Sequence, residues 1–237
     1  MKNYDLFRLM VGVISILITG TFFINKMFLK HRPITSKFIA RVAIFASIAT
    51  ILYVVPYFQF GLPFFPAFLE IHLDEVPIFI AGFSYGPFSA LMILIIRTLI
   101  KLPMTHTLGV GELADLIYGI IFVIPACIIY QRKRTFKGAL LSLGIATIMQ
   151  TLLASLITSF PILDFYMYVM GFTKEMLIAM CQIANPNVTS LGWTFFFLVA
   201  LPFNFFKDIL VVIITILLYK RLKIVINKLA KENLKTN

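Results

Sequence analysis

The sequence predicts an all-α integral membrane protein, on the strength of its composition and of the spacing of its charges. Of 237 residues, 60% are hydrophobic and only 13% are charged, whereas about 25% are charged in an ordinary soluble domain. The long uncharged runs are residues 9–25, 42–69, 76–96, 138–163 and 176–206. A helix needs roughly 20 residues to cross a bilayer core of about 30 Å. Several runs reach that length, which excludes a soluble globular protein.

Seven membrane-spanning helices are expected, at residues 8–28, 38–57, 76–97, 111–130, 138–160, 176–200 and 202–220. The first is an additional N-terminal transmembrane helix within residues 1–30. No small-residue cleavage site follows it, so it is interpreted as a retained helix rather than a signal peptide. The main transmembrane domain then covers residues 38–222, and residues 223–237 form a basic tail.

The net charge of +11 indicates membrane topology more than nucleic-acid binding. Basic residues without acids cluster in residues 26–41, and another basic cluster begins at Lys220. Such clusters mark the cytoplasmic ends of helices, where anionic lipid also attracts them. The C-terminus is therefore predicted to be cytoplasmic. With seven spans, Arg97 and Lys101 fall on the cytoplasmic side too, whereas the basic loop 132–137 falls outside, against the rule.

The sequence contains no enzyme or metal-site motif. Cys127 and Cys181 both lie inside apolar runs, and His31, His72 and His106 are dispersed without ligand spacing. No nucleophile elbow, zinc-protease motif or glycine-rich phosphate loop is found. We therefore expect no enzymatic activity and no metal, and energy for any uphill transport must come from an ion gradient or a partner.

The connection at residues 58–75 is a candidate lid. Glu70, Asp74 and Glu75 lie in it without a nearby basic residue, which fits an external loop. The part before Glu70 is too apolar for a solvated connection. It either folds back over the membrane end of the protein or lies in the membrane interface.

Asn204 and Lys207 form a candidate polar site near the outer end of the last span. They are three residues apart and therefore share a helical face. An ionisable residue inside a membrane is costly and points to function. The alternative is that Lys207 extends to the outer headgroups and pairs with Asp208. The acidic loop reaches the same outer end, which favours a binding site there.

Four segments, in this order, resemble the substrate-binding S components of energy-coupling factor (ECF) vitamin transporters, specifically the riboflavin-specific RibU type. They are FPAFLEIHLDEVPIFIAGFSYGPFSALMILIIRTLI at 65–100, GVGELADLIYG at 109–119, ANPNV at 184–188 and LPFNFFKDILVVIITILLYKRL at 201–222. Together they extend over most of residues 38–222.

The resemblance implies a bundle of six helices, to which this chain adds the N-terminal helix. It implies that the external loop between the first two of the six closes over a flavin. Riboflavin would be the transported ligand rather than a cofactor. The partners would be a transmembrane coupling subunit and two ABC-type ATPase subunits, in the bacterial cell membrane.

The resemblance also assigns residues. By position, the substrate-binding residues are Asn204, Lys207, Asn185, Phe68, Leu69 and Asp74. The small residues Ala40, Ala43, Ala46 and Ala49 recur every three residues and correspond to the face that docks on the coupling subunit, since small residues let helices approach closely in lipid. Packing within the chain is the alternative for these alanines.

The sequence departs from the family pattern in three places. Asp115 stands where asparagine is usual, Asp208 replaces a glycine after the lysine, and residues 158–166 lack an asparagine and a proline that many riboflavin members carry. The alternatives to riboflavin are therefore FMN or another vitamin such as pantothenate or folate. A membrane scaffold without a small ligand is a remoter alternative.

Overall fold

The computed structural model describes residues 35–235, preceded only by residues 15 and 19, with side chains as far as residue 222. The predicted additional helix within residues 1–30 lies outside the described residues, as do the side chains of the basic tail.

Nearly all of the described chain is helical. The elements are α1 (Ser36–Val54), β1 (Phe60–Gly61), β2 (Glu70–Ile71), α2 (Glu75–Tyr85), α3 (Pro87–Lys101), α4 (Val110–Arg132), α5 (Phe136–Ile157), α6 (Leu163–Met170), α7 (Lys174–Ala184), α8 (Trp193–Phe195) and α9 (Leu201–Lys235). Short π-helical segments, Thr158–Ile162 and Phe196–Ala200, join α5 to α6 and α8 to α9. Five stretches of the described chain are long and apolar enough to cross a membrane: 36–54, 87–104, 110–132, 136–170 and 193–222. The predicted all-α membrane fold class is confirmed.

The span predicted at residues 76–97 is two helices, α2 and α3. The chain turns between them at Gly86, whose φ of 104° suits glycine. Pro87 then begins α3, a position where its missing N–H costs nothing. All eleven residues of α2 are buried, and a helix of that length extends only about 16 Å. The sequence did not indicate this break because residues 76–96 are uncharged and long enough for a single span.

The span predicted at residues 176–200 is wrong. Its first half is the short helix α7, which Thr173 caps by accepting a hydrogen bond from the Met176 N–H. Residues 185–192 are irregular and contain Pro186 and Gly192, whose φ is 80°. The last span begins only at Trp193 and continues into α9. Proline and glycine end the helix here although no charge interrupts the run.

The basic loops gather at one end of the bundle. The Lys220 Nζ lies 5.3 Å from the ring centre of Phe136, at the start of α5. The Arg41 guanidinium carbon lies 5.1 Å from the ring centre of Tyr85, at the end of α2. Gln131 donates hydrogen bonds to carbonyls in the last turn of α2. The loop 132–137 therefore shares an end with the basic start of α1 and the end of the last span.

Arg97 and Lys101 lie at the other end, and not with the basic loops as the sequence predicted. The Arg97 guanidinium carbon lies 4.3 Å and the Lys101 Nζ 5.4 Å from the ring centre of Tyr53, near the end of α1. Counted from the start of α1, the split of residues 76–97 into two helices reverses the direction of the chain. Counted from the tail, the absence of a span at residues 176–200 has the same effect.

Aromatic side chains fill the core around α2. Phe83 stacks on Tyr130 with 4.2 Å between ring centres, and the Tyr130 and Tyr219 hydroxyls lie 2.9 Å apart in a hydrogen bond. Phe79 meets Phe122 edge to face at 4.9 Å. In lipid, such packing contributes more to helix association than the exclusion of water does.

Close packing at Gly82 gives a testable consequence. A Cβ there would overlap Cys127 Sγ and lie 3.1 Å from the Ala90 Cβ. We expect Gly82→Ala to destabilise the fold by about 1–3 kcal/mol, the usual effect of overpacking, measured by thermal unfolding in detergent. Gly144 is the matched control, because a Cβ there meets nothing within 4 Å. Equal melting temperatures for the two variants would contradict the packing described.

The predicted docking alanines divide into two pairs. Ala46 and Ala49 are buried in the core, whereas Ala40 and Ala43 are exposed. A three-residue step turns a helix by about 300°, so successive positions drift by about 60° around the axis. The series therefore passes from the outer surface of α1 into the bundle.

Candidate functional site: a lidded cavity

A cavity of about 360 Å³ opens at the end of the bundle opposite the basic loops. Small-molecule pockets commonly span about 300–1,000 Å³. The lining residues are Tyr53, Pro56, Gln59, Phe68, Leu69, Glu70, His72, Lys101, His106, Gly111, Glu112, Ala114, Asp115, Tyr118, Thr158, Ile162, Leu163, Tyr166, Ala200, Phe203, Asn204 and Lys207.

The connection between α1 and α2 covers this cavity. Its strands β1 and β2 pair antiparallel, with Phe60 opposite Ile71 and Gly61 opposite Glu70. Phe65 anchors the hairpin by packing edge to face on Phe203, with 5.3 Å between ring centres. Beyond it, Phe68, Leu69 and Glu70 line the cavity. The inner side of the predicted lid thus faces the site.

Both π-helical segments border the cavity. Thr158 and Ile162 from the first, and Ala200 from the second, line its wall. Pro161 lies within the first segment and lacks the N–H that an ordinary helix would use. Wide turns of this kind are frequent at functional sites.

Asn204 lines the cavity and is held by two neighbours. Its Nδ2 donates to the Ser155 Oγ at 3.1 Å and to the Ala200 carbonyl at 2.9 Å. Both amide hydrogens are therefore used within the protein. What Asn204 offers a ligand is its amide oxygen, an acceptor.

Lys207 lines the same wall and is only 4% exposed. Its Nζ lies 3.0 Å from the Glu75 Oε1, at the start of α2. The alternative prediction, that Lys207 extends to the outer headgroups and pairs with Asp208, is therefore wrong. Its neighbour Asp208 instead accepts a hydrogen bond from the Thr151 hydroxyl at 2.7 Å. An ammonium has three donors, so Lys207 keeps capacity for a ligand.

Asp74 is not among the residues that line the cavity. It is fully buried and forms an ion pair with Arg97, which is 1% exposed. The Arg97 guanidinium also donates to the Asp115 carbonyl at 3.3 Å. Asp74 and Glu75 thus tie the start of α2 to α3 and to α9, respectively.

Several cavity residues were missed by the sequence reasoning. The Asp115 carboxylate accepts a 2.7 Å hydrogen bond from the Tyr53 hydroxyl, and the Tyr118 and Thr158 hydroxyls lie 2.7 Å apart. Glu112 accepts hydrogen bonds from two threonines of the preceding loop. Three of these residues lie in the segment 109–119, which resembles the family, so that resemblance could have indicated them as cavity residues.

Asn185 lies away from the cavity, directly after α7. Its Oδ1 accepts a hydrogen bond from the Asn187 backbone N–H at 3.1 Å. The geometry gives it a part in shaping the connection that leads to the last span.

His72 lies in the connection before α2, outside the spanning helices, and faces the cavity. Its ring packs edge to face on Tyr53 at 5.1 Å, and its Nδ1 lies 3.9 Å from the Asp74 Oδ1. Burial disfavours the imidazolium and lowers the pKa of His72 from 6.5 to about 4. The side chain is therefore neutral at physiological pH.

A lowered histidine pKa makes the folded state sensitive to acid. Between pH 6.5 and 4 the unfolded chain binds a proton at this group that the folded chain does not, so its contribution to the free energy of unfolding falls as the pH drops through this window. We expect that contribution to fall by about 2 kcal/mol between pH 7 and pH 5. His72→Gln should remove that part in unfolding experiments at both pH values. An unchanged difference would contradict the assignment.

The comparisons with known proteins agree with this architecture. The sequence profile described as "ECF transporter, substrate-specific component" matches residues 37–219. The chain belongs to this family. This S component is accordingly a transporter subunit and not an enzyme, and it is a multi-pass membrane protein.

Individual relatives support the assignment. The S component is 28% identical over 182 residues to the riboflavin transporter RibU of Staphylococcus aureus (strain TCH60), covering 77% of this chain and 89% of the relative. It is 23% identical over 188 residues to the riboflavin transporter FmnP of Bacillus subtilis (strain 168), covering 78% and 93%. A solved S component of a bacterial ECF transporter aligns with a TM-score of 0.61 and 27% identity, covering 79% of this chain and 95% of that one.

Proposed function

We propose that this S component binds riboflavin in the lidded cavity and delivers it for uptake. The observation that carries the proposal is the cavity itself, in which Asn204 and Lys207 lie together under an aromatic lid. Two relatives that align with most of this chain are named riboflavin transporters, and they support the same substrate.

The cavity suits the chemistry of a flavin. The ring system is planar and largely apolar, with carbonyl and imide groups along one edge. Phe68 and Phe203 supply apolar walls, and Phe68 is the stacking partner we propose. The Lys207 amine can donate to a flavin carbonyl, and the Asn204 oxygen can accept from the imide N–H. Leu69 completes the apolar contact from the lid.

Asp74 and Asn185 act indirectly in this proposal. Asp74 contributes through Arg97, which holds the start of α2 against α3. Asn185 orders the connection after α7. Neither is proposed to contact the flavin.

Ligand identity is tested by mass spectrometry of protein purified in mild detergent, followed by titration of the emptied protein with flavin while flavin fluorescence is recorded. We expect retained riboflavin and saturable quenching. FMN, pantothenate and folate serve as competitors. Retention of another vitamin, with no flavin quenching, would replace riboflavin, and the absence of any retained or bound vitamin would favour a scaffold.

The charge distribution supports an orientation with the cavity outside. The loop 132–137, the start of α1 and Lys220 share the end opposite the cavity, and basic loops are retained in the cytoplasm. In this orientation the basic loop 132–137 is cytoplasmic, whereas the seven predicted spans placed it outside. We propose a cytoplasmic C-terminus, facing two ABC-type ATPase subunits that act with a transmembrane coupling subunit.

Docking on the coupling subunit is proposed for the exposed surface of α1 at Ala40 and Ala43. Small side chains there allow close approach of a partner helix. We expect Ala43→Trp to abolish riboflavin uptake in cells carrying the coupling module while flavin affinity of the purified protein is unchanged. Leu141→Trp, at an exposed position on α5, is the control and should retain uptake. Full uptake by Ala43→Trp would place the docking face elsewhere.

A further inference from the structure

The outer side of the lid is an apolar surface. Tyr57 is 95% exposed and Phe64 is 56% exposed, with Phe58 and Phe60 also exposed between them. Residues 42–69 contain no charge. A crevice of about 410 Å³ is lined by residues 61–63 and 65–67 of the lid and by Ile183 of α7, which is 88% exposed. Exposed apolar surfaces of this extent mark contacts with a partner or a membrane.

The depth of this surface in the membrane can be measured along the last span, with Lys220 taken as the level of the basic edge. Phe65 of the lid lies 6.3 Å from Phe206, ring centre to ring centre. Phe206 is 14 residues before Lys220, the first basic residue of the tail, which corresponds to about 21 Å along a helix. The bilayer core is about 30 Å thick. The anchored part of the lid therefore lies within the hydrocarbon core, short of the edge opposite Lys220.

The helix α1 gives the same depth independently. Val54 is 17 residues after the exposed Lys37, or about 26 Å along the helix. Tyr57 then lies close to the far edge of the core, the level at which tyrosine and tryptophan concentrate in membrane proteins.

The backbone of the lid is suited to a place with little water. Pro63 and Pro66 have no N–H to satisfy. At the start of the exposed segment the Phe58 N–H donates to the Val55 carbonyl at 3.0 Å and the Gln59 N–H to the Pro56 carbonyl at 3.1 Å. Near its end the Leu62 carbonyl accepts from the Phe65 N–H at 3.0 Å. Irregular backbone in a membrane requires internal partners of this kind.

We propose that the outer side of residues 57–64 is inserted in the bilayer, in the leaflet on the cavity side, so that the lid is anchored in lipid while its inner side closes the cavity. The surface is continuous with the lipid-facing side of α9, where Phe205 and Phe206 are half exposed. Naming this leaflet the outer one rests on the proposed orientation, but the insertion itself does not.

The test uses single-tryptophan forms of the full chain in lipid nanodiscs without flavin. Trp193 is first replaced by phenylalanine, and tryptophan is then introduced as Phe64→Trp. Ile213→Trp, on the exposed side of α9, is the lipid control, and Lys133→Trp, in the exposed basic loop, is the water control. Each form is measured in nanodiscs with and without lipids brominated on the acyl chains, and then with aqueous iodide.

We expect the Phe64→Trp emission to fall in brominated lipid as much as that of Ile213→Trp and to resist iodide. Quenching by iodide with no effect of brominated lipid, as expected for Lys133→Trp, would overturn the proposal. Protection from both quenchers would also overturn it and would indicate a covering protein segment. Because no flavin is used, failure of the riboflavin assignment would not alter either result.

Discussion

Arg97→Met is expected to destabilise the fold by about 3–5 kcal/mol, the usual effect of removing one partner of a buried ion pair. Arg97 and Asp74 are both almost fully inaccessible, so the variant leaves a carboxylate buried without its cation. Thermal unfolding in detergent, with the retained helicity checked by circular dichroism, measures the loss.

Two controls make this prediction specific. Adding Asp74→Asn to Arg97→Met removes the orphaned charge and should recover most of the stability. Lys101→Met removes a cation that lies over the same Tyr53 ring but is partly exposed, and should have an effect below about 1 kcal/mol. Equal losses for Arg97→Met and Lys101→Met would show that the ion pair is unimportant.

Lys207→Ala is expected to weaken riboflavin binding by about 1–3 kcal/mol, the range for a lost hydrogen bond that leaves a buried group unsatisfied. That corresponds to a Kd roughly 5- to 150-fold higher. Fluorescence titration of the purified protein measures it. Unchanged affinity would mean that Lys207 only pairs with Glu75.

The same variant also orphans Glu75, so binding and stability must be separated. In Lys207→Ala combined with Glu75→Gln, we expect stability to recover while affinity stays low. Asp208→Asn is the matched control, because Asp208 bonds to Thr151 and is not among the cavity residues. It should leave the affinity unchanged, and a comparable loss would point to a general distortion of α9.

Local patterns were sufficient for much of the site. Asn204 and Lys207 are three residues apart in a helix, so their common face followed from periodicity, and the resemblance placed Phe68 and Leu69 beside them. Their partners come from other helices: Glu75 pairs with Lys207, and Ser155 accepts a hydrogen bond from Asn204. Nothing in the spacing along the chain relates Lys207 to a residue 132 positions earlier.

The predicted helix map failed where a break carried no charge. Gly86 with Pro87 divides one uncharged run, and Pro186 with Gly192 interrupts another. Charge counting measures only whether lipid would tolerate a segment, and a buried turn with satisfied backbone is tolerated as well as a helix. The errors in direction at Arg97 and at residues 132–137 both follow from these two breaks.

The sequence by itself determined the membrane class, the polar pair on the last span and the apolar character of the lid, because these depend on composition and local periodicity. The family was indicated by the resemblance of four segments to known members. Tertiary structure alone decided which charges neutralise one another, that Ala46 and Ala49 pack inward, and that the lid has one side on the cavity and another exposed. Burial and ion pairing depend on the three-dimensional arrangement of helices that are distant in the chain. Each turn within an uncharged run reverses the chain and so changes that arrangement.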